Sequence, residues 1–321
     1  MVGLMNLAVT IALQFIQSLF LIVIAPLFTG WIGQVRAWLN HKKGPGIFQP
    51  YRQLHKLFMK DTLLAHHASP LFRITPYIYF CAMCLITAII PVLSTSLPFA
   101  PVADVIALVA LFSLARIFLA LAAMDIGTAF GSMGARREMM VAFLAEPALL
   151  MVLFNIVLIH QSTALATIVS TSLMHTLTIN PSISFAAVAF VMVMLAENAR
   201  LPVDNPTTHL ELTMIHEAMI LEYSGRHLAL IEWASDLKLL NYFAIGLALF
   251  FPWGITAYLG FSKMMLAGFF FLAKIIVLGC GLAIFETTSA KVRLFRVPEF
   301  LTIAFLLAVL GVLTQLGVVN A

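Results

Sequence analysis

The sequence predicts an all-α polytopic membrane protein, with about eight transmembrane helices and one amphipathic helix lying in the membrane interface. Three observations predict it. Of the 321 residues, 62% are hydrophobic and 10% charged, against about 25% charged in an ordinary soluble domain. Repeated apolar stretches reach the roughly 20 residues that a hydrocarbon core demands. The basic residues between those stretches fall almost entirely on one side.

Eight stretches qualify as spans: roughly 6–33, 74–95, 104–123, 138–160, 182–199, 239–258, 264–288 and 298–319. No long polar segment and no internal repeat separates them, so residues 1–321 read as a single integral membrane domain. The chain carries no Lys or Arg before Arg36. A secretory signal starts with a positive segment, so the first apolar run reads as a retained span.

Charge sets the orientation. The loop after the first span holds Arg36, Lys42, Lys43, Arg52, Lys56, Lys60 and Arg73. The third span is followed by Arg136 and Arg137, the fifth by Arg200, Arg226 and Lys238, and the seventh by Lys291, Arg293 and Arg296. The opposite side has only Lys263, while Arg116 and Lys274 fall within spans. Fifteen of the 18 basic residues thus share one face. By the positive-inside rule that face is cytoplasmic, and an even span count puts both termini outside.

The first cytoplasmic loop has its own pattern. From Phe48 to Lys60, Tyr51, Leu54, Leu57 and Phe58 fall on one helical face and Arg52, Lys56 and Lys60 on the rest. Such a helix lies in the interface. Two roles are open to it: an anchor for the loop, or one wall of a cavity at the membrane surface.

Ionisable residues inside spans cost roughly 2.5–3.5 kcal/mol each on insertion scales, and they normally face a bundle interior and have partners. Arg116 lies in the third span, Glu138 and Glu146 in the fourth, Glu197 in the fifth, and Lys274 and Glu286 in the seventh. Glu138 and Glu146 are separated by about 12 Å along a helix and roughly 80° around it, so one polar track can hold both with a side chain or water between. Glu197, Asp204, Glu211, Glu217 and Glu222 make the fifth-to-sixth connection acidic beyond what Arg200 and Arg226 balance. Buried acids in excess of cations exchange protons readily, because burial disfavours their charged form. That is the basis for a proton relay. The bland alternatives are charges at helix ends for Glu138 and Glu286, and a structural ion pair for Glu146 and Glu197. Lys274 reads equally as a snorkelling residue or a relay member.

Other chemistries lack their signatures. Cys81-x-x-Cys84 has no second pair and no adjacent His, so two soft hydrophobes on one helix face explain it better than a metal site. His55, His66, His67, His209 and His216 show no metal spacing and read as loop histidines, with a titrating role open to His209 and His216 among their carboxylates. Gly44-Pro45-Gly46 is a turn signal. Nothing points to a phosphate loop, a nucleophilic triad, a dinucleotide fingerprint or nucleic-acid binding.

Two motifs carry a resemblance. Lys43-Gly44-Pro45-Gly46, followed by Gln49-Pro50 and Lys56-Leu57, is one. Glu197-x-x-Arg200-Leu201-Pro202-x-Asp204, then Glu211, then Glu222-Tyr223-Ser224-Gly225, is the other. In this order they resemble the membrane subunit shared by respiratory complex I (NADH dehydrogenase subunit 1) and the group 4 membrane-bound nickel–iron hydrogenases, formate hydrogenlyase among them. The likeness covers nearly the whole chain. Gly46, where complex I members usually have Asn, favours the hydrogenase branch. Arg116, Asp125, Gly134-Ala135, Arg137-Glu138, Glu146-Pro147, Glu286 and Arg293 are similar to that branch too. Two departures stand out: Gln53 replaces an Asp usual in the first-loop helix, and the segment from Glu211 to Glu222 is about three residues longer, adding His216 and Glu217.

The resemblance implies a multi-pass subunit of the bacterial inner membrane with no redox centre, cofactor or catalytic residue of its own. It implies docking of a peripheral arm, the hydrogenase large subunit and an iron–sulfur small subunit, with Lys43, Gly44, Pro45, Gly46, Gln49, Pro50, Lys56, Tyr223, Ser224 and Gly225 either at that docking face or around the cavity. It implies proton transfer toward antiporter-like membrane subunits through Glu138, Glu146, Glu197, Asp204, Glu211, Glu222 and Glu286, with Arg116, Arg137, Arg200, Lys274 and Arg293 as counter-charges. In the complex I branch the cavity beside the first-loop helix admits quinone. A quinone-site subunit and a standalone ion transporter are therefore the competing expectations.

Overall fold

The computed structural model describes residues 2–64, 68–96, 98–99, 102–174, 180–203, 215–256, 261–289 and 296–319. Among them every regular element is a helix: α1 (Val2–Leu39), α2 (Gln49–Phe58), α3 (Pro70–Ile89), α4 (Val105–Asp125), α5 (Ala129–His160), α6 (Leu165–Met174), α7 (Pro181–Glu197), α8 (His216–Ile220), α9 (Gly225–Phe250), α10 (Phe261–Thr288) and α11 (Val297–Val319). Helix starts follow local chemistry. Ser69 caps α3 by accepting from the Leu71 N–H with Pro70 at the first position, Asp104 caps α4 through Ile106, and Thr128 caps α5 through Gly131.

Six of these helices, α1, α3, α4, α5, α10 and α11, are long and apolar enough to cross a membrane. The other two expected spans correspond to α7, an apolar helix of 17 residues, and α9, whose 26 residues include Glu232, Asp236, Lys238 and Asn241. Those polar groups dilute the hydropathy of α9, and the helix tolerates them because it lies inside the bundle. Leu237, Lys238, Leu239, Leu240, Asn241, Tyr242 and Phe243 are all buried in succession, so every side of that stretch is covered.

Helix α9 packs against α1, α2, α3 and α7, while α4 joins α3 to α5. Helix α10 packs on α1, and α11 packs against α5 and α7. Both present bare apolar faces outward, Phe269, Val277 and Ile284 on one and Ile303, Leu306 and Leu313 on the other. An outer apolar surface around a charge-bearing interior is what lipid selects.

The charge map needs one correction. Lys238 was expected in the loop after the fifth span, yet α9 begins at Gly225 and carries Lys238 into the buried interior, at 6% exposure. Helix α5 likewise starts nine residues ahead of Glu138, at Ala129. Glu138 is therefore a buried mid-helix carboxylate and not a charge at a helix end.

Candidate functional site

Arg116, in the middle of α4, organises a buried charge hub. Its Nε lies 3.5 Å from Glu138 Oε1, its Nη1 lies 3.2 Å from Glu146 Oε1, and its Nη2 contacts Glu197 Oε2. Glu138 and Glu146 both come from α5, and Arg116 fills the space between them. Glu197 ends α7 and is buried. Lys238 Nζ reaches it from α9, 3.2 Å from Oε2, and donates to the Glu197 backbone carbonyl at 2.6 Å. Among the described residues, four helices thus contribute one group or more each, three carboxylates against two cations. The planar guanidinium suits this geometry because its five donors fan out in a plane. Two buried phenols border the hub: Tyr79 is within electrostatic reach of Glu138 and Arg116, and Tyr242 of Arg116 and Glu146.

A second cluster adjoins the first. A cavity of about 450 Å³ is lined by Thr29 and Arg36 of α1, Gln53 and Leu54 of α2, Arg200, His216 and Glu217, and Glu232 and Asp236 of α9. Glu286 of α10 pairs with Arg200 at 3.2 Å and with Arg36 at 3.5 Å, so one carboxylate bridges the cavity's two arginines. The cavity and the hub meet along the chain, since Glu197 directly precedes the cavity residues Asn198 to Arg200, and Lys238 follows Asp236 by two positions.

Helix α2 forms one wall of this cavity. Leu54 is its buried residue, Tyr51, Leu57 and Phe58 are half-buried, and Arg52, Lys56 and Lys60 are exposed, matching the expected amphipathic pattern. The Tyr51 hydroxyl contacts the Val23 carbonyl, and Phe58 lies edge-on to Trp233 at 6.4 Å. Partial burial and the nearby Asp236 charge hold the Tyr51 phenol above its ordinary range.

The two sequence motifs hold the loops around this site. Gln34 Oε1 accepts from the Gly46 N–H at 3.0 Å, and Gly46 has φ +91°, a left-handed conformation that favours glycine. Ser224 Oγ accepts from Leu63 N–H at 2.9 Å and lies 2.8 Å from its carbonyl, while Tyr223 stacks on Phe72 at 3.9 Å and donates to the Phe72 carbonyl. Gly225 has φ +54°, and a Cβ there would stand 2.7 Å from the Asp61 carbonyl oxygen. The second motif therefore clamps the chain that leaves α2.

The structure brings together Arg116, Glu138, Glu146 and Glu197 in the hub, and Arg200 and Glu286 at the cavity. It does not bring in Glu222, which is exposed. Arg137 Nη2 lies 3.0 Å from Met133 Sδ along its own helix. Lys274 donates to the carbonyls of Phe251, at 2.7 Å, and Trp253, and sits 4.5 Å over the Trp253 ring. These contacts fit the snorkelling reading, since they cap the open end of α9. Lys43, Pro45, Gln49 and Lys56 are exposed, and Pro50 lines the cavity. Asp204, Glu211, Arg293, His66, His67 and His209 lie outside the described residues. Among the described residues no group of three or more His, Cys, Asp or Glu is arranged to hold a metal.

Sequence reasoning passed over Lys238, Glu232, Asp236 and Arg36. A signal existed for two of them: Glu232 and Asp236 are four apart, the spacing of one helical face. The apolar-run criterion started the sixth span just past these charges and so filed them as loop.

Known proteins share this architecture. The chain is 32% identical over 296 residues to "Hydrogenase-4 component C" of Escherichia coli (strain K12), covering 92% of each chain. It is 31% identical over 302 residues to "Formate hydrogenlyase subunit 4" of the same organism, covering 94% of this chain and 97% of that one. A chain in the structure of the membrane-bound sulfane sulfur reductase, an archaeal respiratory membrane complex, has the same fold, with a TM-score of 0.79 at 17% identity over 94% of this chain and 99% of that one. The model of the NADH dehydrogenase family matches residues 11–316, and the chain belongs to that family.

Proposed function

We propose that this chain is the membrane-anchor and proton-coupling subunit of a group 4 nickel–iron hydrogenase complex of the formate hydrogenlyase type. The reading draws its branch from the two hydrogenase relatives and its mechanism from one observation: Arg116 gathers three carboxylates next to a polar cavity bounded by α2. Protons enter at the cavity, where Glu232 and Asp236 accept them, and pass by way of Glu197 to Glu138 and Glu146. The hydrogenase large subunit and the iron–sulfur small subunit dock over α2, the Lys43–Gly46 turn and the Tyr223–Gly225 clamp. Antiporter-like membrane subunits receive the protons or the strain. In this arrangement the complex sits in the bacterial inner membrane with both termini of this chain periplasmic.

Charged and polar groups in the lining of the cavity, beside Leu54, Ile220 and Ile231, support a path for water and protons. Arg36, Gln53, Arg200, Glu217, Glu232 and Asp236 all reach it, whereas small-molecule pockets are mostly apolar with few polar groups. The chain itself binds no cofactor in this reading.

Glu146→Gln and Glu197→Gln test the relay. Each replaces one carboxylate oxygen by an amide nitrogen, which removes the charge and the proton-accepting site but keeps the shape. The expected result is a normally assembled complex with proton translocation lowered several-fold. Unaltered translocation in both variants sinks the relay.

A further inference from the structure

Lys238 shares the hub with Arg116, yet the two cations differ in kind. The Arg116 guanidinium stays protonated in proteins, whereas a lysine ammonium gives up its proton when its surroundings are poor in water. Lys238 is buried at 6% exposure, on a helix stretch covered on every side. The Glu197 side chain that it faces is 1% exposed. Its Nζ meets the same residue twice, as an ion pair with the Glu197 carboxylate at 3.2 Å and as a hydrogen-bond donor to the Glu197 carbonyl at 2.6 Å. Arg116 Nη2 contacts the same carboxylate oxygen. Glu138 and Glu146, the remaining charges of the hub, also act on Lys238. One carboxylate oxygen is therefore held between a permanent cation and a removable one.

We propose that Lys238 is a proton-carrying member of the hub and that the Lys238–Glu197 pair is its switching element. This inference rests on the relay reading above. The step moves one proton and no electron. The ammonium transfers a proton to Glu197 Oε2, which leaves a neutral amine and a neutral carboxylic acid. Glu197 then passes its proton to Glu138 or Glu146, which share Arg116 with it. The amine takes up a proton from the cavity side and the ion pair returns. Neutralising both partners together is feasible here because a buried ion pair keeps little of its Coulombic gain once desolvation is counted. Arg116 remains charged throughout, so the hub keeps its geometry while Lys238 cycles.

A merely structural cation and a proton carrier respond differently to arginine. Lys238→Arg keeps the charge and its reach to Glu197 but cannot release a proton under working conditions. The measurement is the ratio of protons translocated to electrons transferred by the intact complex in sealed vesicles, with assembly scored by recovery of the whole complex. Lys238→Arg is expected to assemble and to lower that ratio at least five-fold. A wild-type ratio in Lys238→Arg overturns the proposal and makes Lys238 structural. Should the larger side chain prevent assembly, Lys238→His and Lys238→Gln make the same comparison. Coupling retained with His and lost with Gln supports proton carrying; equal ratios overturn it. Glu197→Gln run in parallel separates the two levels. If it abolishes translocation while Lys238→Arg does not, the relay stands and only the role of Lys238 falls.

Discussion

Gln53 Nε2 donates to both carboxylate oxygens of Glu232, at 3.2 and 3.1 Å, and so fastens α2 to α9 at the edge of the cavity. This is the position where the resemblance expects Asp. An amide is compatible with an ionised Glu232, whereas a second carboxylate here would have to share a proton with it. The other departure, the longer segment bearing His216 and Glu217, lines the same cavity. Both departures thus concentrate on one surface.

Gln53→Asp should therefore destabilise the docking of α2, and Gln53→Leu should do so less. A hydrogen bond to a charged group contributes about 1.5–3 kcal/mol, and the exposed setting puts this one at the low end. The sign with pH follows. Two facing carboxylates bind protons more readily folded than unfolded, so the Gln53→Asp penalty is largest at neutral pH and shrinks as pH falls through the carboxylate range. Thermal melting of the purified complex between pH 5 and pH 8 checks this. A pH-independent penalty would show that the pair does not form.

Removing Arg116 should be the most damaging single change in the chain. Among the described residues, Arg116→Met leaves Glu138, Glu146 and Glu197 facing one another with Lys238 as the one paired cation. Breaking a buried ion pair from one side costs about 3–5 kcal/mol. Little of the subunit should accumulate in the membrane. Arg116→Met combined with Glu197→Gln should accumulate more than Arg116→Met alone, because one uncompensated charge has gone. Subunit abundance by immunoblot decides, and a double variant no better than the single one would argue against charge as the cause.

Much of the fold was legible in the sequence because lipid leaves few options. An apolar run of span length must be helical to satisfy its own backbone, and α1, α3, α4, α5, α10 and α11 follow from that alone. Helix α2 was legible from periodicity, since Tyr51, Leu54, Leu57 and Phe58 share a face. The site was legible only in part. Intramembrane charge pointed to Arg116, Glu138, Glu146 and Glu197, but Arg116 stands 22, 30 and 81 residues from Glu138, Glu146 and Glu197 and no local rule encodes the pairing. Lys238 and Asp236 were hidden for a related reason. A helix buried on all sides has no lipid face to keep apolar, so its charges resemble those of a loop.

Gly311→Ala should loosen the contact of α11 with α5 and α7. A Cβ at Gly311 would lie 2.6 Å from Asn155 Nδ2 and 3.2 Å from the Ser182 carbonyl oxygen. Asn155 donates to that carbonyl at 3.1 Å, and Ser182 Oγ lies 2.8 Å from both Asn155 Oδ1 and the Gly311 carbonyl. An added methyl must push α11 away or break this buried network. Overpacking of this kind costs about 1–3 kcal/mol. Lower thermal stability of the complex with an unchanged proton-to-electron ratio is the expected outcome; an unchanged melting temperature would mean that α11 shifts freely.

If the proposed docking of a peripheral arm holds, Gly225→Ala should uncouple that arm without touching the hub. The substitution meets two obstacles at once, a φ of +54° and the Asp61 carbonyl oxygen 2.7 Å from the new carbon. The first obstacle alone costs about 1–2 kcal/mol for an L-residue. Relief requires the 60–63 segment to move, which breaks the Ser224 bonds to Leu63 and frees the chain leaving α2. Tyr223→Phe is the mild control. It loses the hydrogen bond to the Phe72 carbonyl but keeps the ring stacked on Phe72. If this clamp shapes the docking face, Gly225→Ala membranes retain the subunit but lose most of the hydrogenase large subunit, while Tyr223→Phe membranes keep it. Equal retention in both would place the docking face elsewhere on the protein.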